Sequence, residues 1–200
     1  DYSNDKTNLE IDRIKNDYNY DIDVFSSNKN LGYGGVQKYA FNYAIEKSFD
    51  LVIMLHGDGQ YLPEKLPDFI DGFEDKNIDA VFGSRMKSYS SALKGGMPIY
   101  KFLGNIALTF VQNLILGSKM SEFHSGYRSF KVDSLKLINY EKMPDYYHFD
   151  TEIIIEFLKK KLKILEIHIP TYYGDEVSHL KSIPYGLKVL LSTLKSKFKK

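Results

Sequence analysis

The sequence predicts an α/β domain, on three observations. Short, wholly apolar runs of strand length recur along the chain. Longer stretches between them carry apolar residues at helical spacing, and glycine-containing turns join the two kinds. Ile22 to Ser26 reads as the first strand and Asn28 to Gly35 as a glycine-rich turn. Val36 to Lys47 follows as a helix, with Val36, Tyr39, Ala40, Tyr43 and Ala44 at helical spacing. Leu51 to Leu55 is wholly apolar, the pattern of a strand buried on both faces. Pro63 to Phe73 opens with proline near a helix N-terminus, and Leu66, Phe69, Ile70 and Phe73 form its inner stripe. Ala80 to Gly83 is another buried strand. Strand, helix, strand, helix, strand is the order of a mostly parallel sheet with crossover helices.

The second half is less regular. Ser88 to Gly96 reads as a polar, mobile loop, Tyr100 to Leu116 as a long helix and Phe149 to Lys160 as another. Lys163 to Ile169 alternates as a half-buried strand. Thr171 to Ser182 is a polar connector, and a basic amphipathic helix occupies residues 183–200. No repeat or linker marks a second domain, so residues 1–200 read as one domain.

Composition narrows the function. Two hundred residues, 43% hydrophobic, suffice for one sizeable core. With 27 basic and 26 acidic residues, nothing global points to nucleic acid. The absence of cysteine excludes disulfides and thiolate zinc sites, which fits a cytoplasmic protein. The most lipid-like run, Ile106 to Leu116, is interrupted by Gln112 and Asn113 and falls below the roughly 20 apolar residues of a spanning helix. The chain therefore reads as soluble or as lying on a membrane surface.

The central chemical feature is His56-Gly57-Asp58-Gly59-Gln60, directly after the run Leu51 to Leu55. In open α/β sheets, ligands sit beyond the C-terminal ends of strands. A carboxylate there, between glycines that let a ligand approach the backbone, suits a divalent cation on a diphosphate. A polar turn with an aspartate capping the next helix fits the position equally well.

Five stretches, that one included, bear on the choice. In order they are Asp1-Tyr2-Ser3-Asn4-Asp5-Lys6-Thr7, Asn28 to Gly35, His56 to Gln60 with Pro63-Glu64, Phe82-Gly83-Ser84-Arg85, and Glu122-Phe123-His124-Ser125-Gly126-Tyr127-Arg128. Together they resemble the motifs of the family-2 inverting glycosyltransferases of GT-A fold, of the dolichyl- or polyprenyl-phosphate sugar transferase type. The resemblance runs over nearly all of the chain in the right order.

The resemblance implies an inverting transfer of sugar from a UDP- or GDP-sugar to a lipid phosphate or a precursor of cell-envelope polysaccharide. It implies that Asp58 holds Mn²⁺ or Mg²⁺ on the donor diphosphate, with His56 beside it. Asp1, Asn30, Gly34, Gly57, Gln60, Arg85 and Arg128 would contact the nucleotide-sugar. Glu122 would be the catalytic carboxylate near the acceptor, and His124, Glu152 and His179 would belong to the acceptor side and its lid. An ion pair remains open as the role of Arg85, a fold-stabilising salt bridge as that of Arg128, and packing as that of His124. Asp150 reads as the cap of the helix beginning at Phe149.

Two features depart from the family pattern. His56 stands where the first acid of D-x-D is expected, which favours Mn²⁺ over the oxygen-seeking Mg²⁺. The resemblance also implies a first, central strand ahead of Asp1, outside these residues.

The last twenty residues hold six lysines and no acid. With Leu187, Leu190, Leu191 and Leu194 they form a helix suited to the cytoplasmic face of an anionic membrane, or to a core with a solvated lysine face. A nucleotidyltransferase and a non-catalytic nucleotide-sugar-binding domain are the rival functions.

Overall fold

The computed structural model describes residue 2 and residues 5–18, 22–170, 172–173 and 182–198. Asp1 and His179 lie outside the described residues. The chain runs α1 (Thr7–Tyr18), α2 (Gly32–Glu46), β1 (Leu51–Met54), a 3₁₀ turn (Pro63–Lys65), α3 (Leu66–Asp71), β2 (Ala80–Ser84), α4 (Tyr89–Lys94) and α5 (Ile99–Leu116). It continues with β3 (Arg128–Lys131), α6 (Val132–Leu135), a 3₁₀ turn (Tyr140–Lys142), α7 (Phe149–Lys159), β4 (Ile164–His168) and α8 (Ser182–Phe198).

The strands form one sheet in the order β1-β3-β2-β4. β4 lies parallel to β2, whereas β3 runs antiparallel to both β1 and β2. Three strands therefore share a direction, and the reversed one sits between β1 and β2. The sheet is thus mostly parallel in strand direction, as expected, and β3 is the exception: it was not legible, because Arg128-Ser129-Phe130-Lys131 offers a single apolar residue and no run or alternation that reads as a strand.

Helices cover both faces. On one side Ala80, Phe82 and Phe130 pack with Phe41 of α2, Leu135 of α6 and Phe149, Ile153, Ile154 and Phe157 of α7. On the other, Val81 packs with Phe69 of α3, Tyr61, Tyr127 and Ile169. β2 is thus buried throughout, as its wholly apolar run to Phe82 predicts. β1 is only half-buried along its length, because it is the edge of the sheet formed by the described residues rather than an inner strand.

Two other expectations change. Ile22 to Ser26 forms no strand, and Val24 and Phe25 stay exposed, so the segment lacks the buried face that would fix a register. Ser88 to Gly96 contains α4 rather than an irregular loop. The Ser88 hydroxyl caps it by accepting from the Ser91 N–H at 3.3 Å, and Ala92 packs with Met86 and Met97.

Gly83 shows how tightly the second face closes. A Cβ there would lie 2.8 Å from Cδ1 of Ile169 and 3.0 Å from Cζ of Phe69. Gly83→Ala is expected to destabilise the domain by about 1–3 kcal/mol in urea unfolding. An unchanged unfolding midpoint would show that Ile169 simply swings aside.

Candidate active site

Because β3 is reversed, its first residue lies where its neighbours end. Arg128 pairs with Met54, the last residue of β1, and with Phe82 near the end of β2, while His168 at the end of β4 pairs with Ser84. The turn His56 to Gln60, Arg85 and the loop Ser121 to Tyr127 are thereby gathered at one end of the sheet. The N-termini of α2 and α7 close on the same end: the Gly34 N–H donates to the Asp145 carbonyl at 3.0 Å. A Cβ on Gly34 would lie 2.5 Å from the Pro144 carbonyl oxygen, so only glycine permits that approach.

A cleft of about 580 Å³ opens there, with Asn30, Tyr33, Gln37, His56, Tyr146 and Tyr147 in its wall. Its polar side is a chain of hydrogen bonds. The buried Tyr33 hydroxyl donates to Asp150 Oδ2 at 2.8 Å, and Gln37 Nε2 donates to Asp150 Oδ1 at 3.2 Å. Tyr33 has one proton and gives it to Asp150, so its oxygen faces His56 Nε2, 3.4 Å away, as an acceptor. Burial, then the Asp150 charge, hold the Tyr33 phenol well above its ordinary range. Gly126 lies against the His56 ring. A Cβ on it would meet His56 Cε1 and stand 2.7 Å from Nε2.

A second network lies under the loop Ser121 to Tyr127. Glu122 is buried, and Oε2 accepts from the Arg85 backbone N–H at 2.7 Å. Its Oε1 accepts from Arg85 Nε at 2.8 Å, from Arg85 Nη2 and from Asn105 Nδ2 at 2.7 Å. Burial alone would raise its pKa, but the Arg85 charge and these donors hold it below the ordinary carboxylate value. Arg85 also donates to the Tyr173 hydroxyl at 2.6 Å and to the His124 carbonyl at 3.0 Å. From β4, Glu166 grips the same loop through the backbone N–H groups of Ser121 and Glu122.

Arg128 is buried among carbonyls. It donates to Ser125, Phe123 and Asp150 backbone oxygens at 2.8, 2.9 and 3.0 Å. Its Nη2 stands 3.8 Å from the Asp150 carboxylate, and the guanidinium lies over the Phe82 ring. Neither arginine of the sequence motifs is free in this arrangement.

The remaining candidates are more open. Asp58 is exposed, with Oδ1 accepting the Gln60 N–H at 3.0 Å in a local turn, and Gly57 and Gly59 face open space among the described residues. Asn30 accepts the Gly32 N–H at 2.8 Å in a turn just ahead of α2, whose cap position is held by Leu31. Glu152 is half-buried on α7. Asp150 is not the cap of α7. His148 holds that position without a side-chain bond, and Asp150 sits one residue inside the helix, serving Tyr33 and Gln37. Among the described residues, no three His, Asp or Glu side chains converge as metal ligands. The sequence reading missed Tyr33, Asn105, Asp150 and Glu166 as organisers of the site. Their only signal was a polar side chain within or beside an apolar stretch.

With the geometry in place, comparison with known proteins decides the family. Residues 1–138 match the family described as glycosyl transferase family 2. The chain belongs to that family. Over 173 residues it is 28% identical to the UDP-N-acetylglucosamine–dolichyl-phosphate N-acetylglucosaminyltransferase of Methanococcus voltae, covering 86% of this chain and 68% of the relative. Over 151 residues it is 23% identical to the undecaprenyl-phosphate mannosyltransferase of Micrococcus luteus, covering 75% of this chain and 60% of the relative. Its fold matches the crystal structure of glucosyl-3-phosphoglycerate synthase from M. tuberculosis with a TM-score of 0.61 at 12% identity, over 98% of this chain and 66% of that one. The chain therefore spans about two thirds of the length of these proteins. The GT-A-like α/β fold expected of a family 2 glycosyltransferase is the fold it has.

His124 gives this glycosyltransferase domain a pH signature. Its Nδ1 lies 3.1 Å from the Tyr185 hydroxyl of α8, and its buried Nε2 has no hydrogen-bond partner among the described residues. Burial, helped by the charges of Arg85 and Arg128, pushes its pKa down from 6.5 to about 4. The unfolded chain thus binds this proton first as pH falls. Stability contributed by the neutral ring is complete above pH 6.5 and is lost towards pH 4, by on the order of 3 kcal/mol. Denaturation at both ends of that window should show a clearly smaller loss in His124→Gln. Equal losses in both proteins would exclude His124 as the source.

Proposed function

We propose that this domain transfers a sugar from a nucleotide-diphosphate donor to a lipid phosphate, with inversion at C1. The observation that carries the reading is the convergence of His56 to Gln60, Arg85 and Glu122 to Arg128 on one end of the sheet, beside the tyrosine-lined cleft. Relatives named for dolichyl-phosphate and undecaprenyl-phosphate transfer support the acceptor class. The name of the first supports UDP over GDP for the donor.

The state of Glu122 bears on the acceptor. A hydroxyl acceptor must lose a proton as it attacks, and Glu122 would be its base. That carboxylate is held by Arg85 and Asn105, with its pKa lowered, and is poorly prepared for the task. A phosphate monoester has its second pKa near about 6 and arrives already charged. Its oxygen attacks C1 from the face opposite the diphosphate, the bond to the departing oxygen breaks with its electron pair, and no protein base is required. In this reading Glu122 and Arg85 shape the acceptor loop, His124 is part of it, and Glu152 is assigned to the acceptor side by motif. A polysaccharide-precursor hydroxyl would need the Glu122–Arg85 pair to open first.

Asp58 and His56 are the residues that would hold a divalent cation. Two side chains on a turn with open space suit an ion whose other ligands are donor phosphate oxygens, while the imidazole favours Mn²⁺ over Mg²⁺. The bound cation would offset charge on the departing diphosphate. Asn30, in the cleft wall, and Gly34, Gly57 and Gln60 are assigned to the donor by the motifs they belong to, as Asp1 is to the nucleotide and His179 to the lid. The domain would work on the cytoplasmic membrane face, with basic α8 against the lipid.

Calorimetric titration of UDP and GDP, with and without Mn²⁺, tests the site. Binding should require the metal, favour UDP and weaken at least about ten-fold in Asp58→Ala. Metal-independent binding that is equal in the two proteins would favour a non-catalytic nucleotide-sugar domain. Release of pyrophosphate from a nucleoside triphosphate and a sugar phosphate would point to a nucleotidyltransferase.

A further inference from the structure

Helix α5 has its polarity inverted. Its buried residues are Asn105, Thr109 and Gln112, and the Gln112 side chain is fully enclosed. Its exposed residues include Ile99, Leu103, Phe110 and Leu114, with Phe110 68% and Leu114 72% accessible. Helix α8 packs against α5 and repeats the pattern. Ser192 and Thr193 are inside, while Ile183, Leu187, Leu191 and Leu194 are outside. Between the helices, Gln112 Nε2 donates to Thr193 Oγ1 at 3.5 Å, and Gly186 lies against Leu108. Polar and small residues between helices with large apolar residues outward is the arrangement of helices that face hydrocarbon.

Charge identifies the occupant. Residues 86–121 contain four lysines and no acid, and residues 182–198 contain three lysines and no acid, in a chain with 26 acidic residues. The two segments that carry the apolar face therefore bear charge of one sign, as a surface for anionic phospholipid headgroups requires. A second copy of the same face would bring lysine to lysine. α5 is long and apolar enough to cross a bilayer, yet Asn105 is bonded to Glu122 and Gln112 to α8, which keeps it on the domain.

We propose that the outward faces of α5 and α8 form one surface that docks in the plane of an anionic membrane. Both helices are tied to the acceptor-side loop, α5 through Asn105 to Glu122 and α8 through Tyr185 to His124. Docking would therefore set that loop at headgroup depth, and the lipid-phosphate reading, on which the proposal rests in this respect alone, gives the surface its purpose.

Sedimentation with vesicles that contain no polyprenyl phosphate tests the surface apart from the transferase reaction. The chain should partition to phosphatidylcholine vesicles carrying about one-third phosphatidylglycerol, and at least about ten-fold less to phosphatidylcholine alone. Leu103→Glu with Leu191→Glu, both on exposed positions, should lower partition at least about ten-fold with the unfolding midpoint unchanged. Should that variant fold poorly, Lys195→Gln with Lys197→Gln should still weaken binding to the anionic vesicles and its salt dependence. Partition that ignores both pairs of substitutions would overturn the proposal. So would a failure to bind vesicles together with a dimer in sizing chromatography that Leu103→Glu and Leu191→Glu dissolve, which would give the face to a second copy.

Discussion

The Arg128 guanidinium holds together the three pieces that make the site: the start of the reversed strand, the loop before it and the N-terminus of α7. Its donors go to the carbonyls of Phe123, Ser125 and Asp150, with Phe82 beneath it. A buried charge is costly unless hydrogen bonds replace its water, and here three backbone carbonyls do so. Fixing the Asp150 backbone also fixes the Asp150 carboxylate, which in turn orients Tyr33, and Tyr33 faces His56. One interaction in the core thus reaches the wall of the cleft through covalent geometry and two hydrogen bonds.

The Glu122–Arg85 pair plays the matching part on the other side of the loop. A buried pair of this kind adds little net stability over apolar packing, but it fixes geometry, because either partner left alone would be an uncompensated charge. Asn105 from α5 and Tyr173 complete the pair, and Glu166 secures the backbone at Ser121 and Glu122 from β4. The loop Ser121 to Tyr127 is consequently gripped by α5, β2 and β4 at once.

Much of the architecture could be read from local pattern. Helices α2, α5, α7 and α8 and strands β2 and β4 appear near their expected places, since each has an apolar run or stripe that tertiary packing then uses. Strand β3 did not, because its stability comes from two neighbours and a buried arginine rather than from an apolar run. Ile22 to Ser26 failed in the opposite way, being apolar at Ile22, Val24 and Phe25 without being buried among the described residues. For the site, the motif positions were legible but the partners were not. Arg85 beside Glu122, and Asp150 beside Tyr33, are separated by 37 and 117 residues, and only the fold brings them together. The inverted helix α5 was partly visible: Gln112 and Asn113 marked an interruption, although their inward direction requires the packed structure.

The cleft wall has a further consequence for observing this protein. Tyr33, Tyr146 and Tyr147 line the opening, and the whole chain contains no tryptophan. Light at the red edge of the aromatic band, where only indole absorbs, therefore excites nothing in these 200 residues. An indole introduced at the position of Tyr147 would be a lone emitter set at the mouth of the cleft, against a dark background.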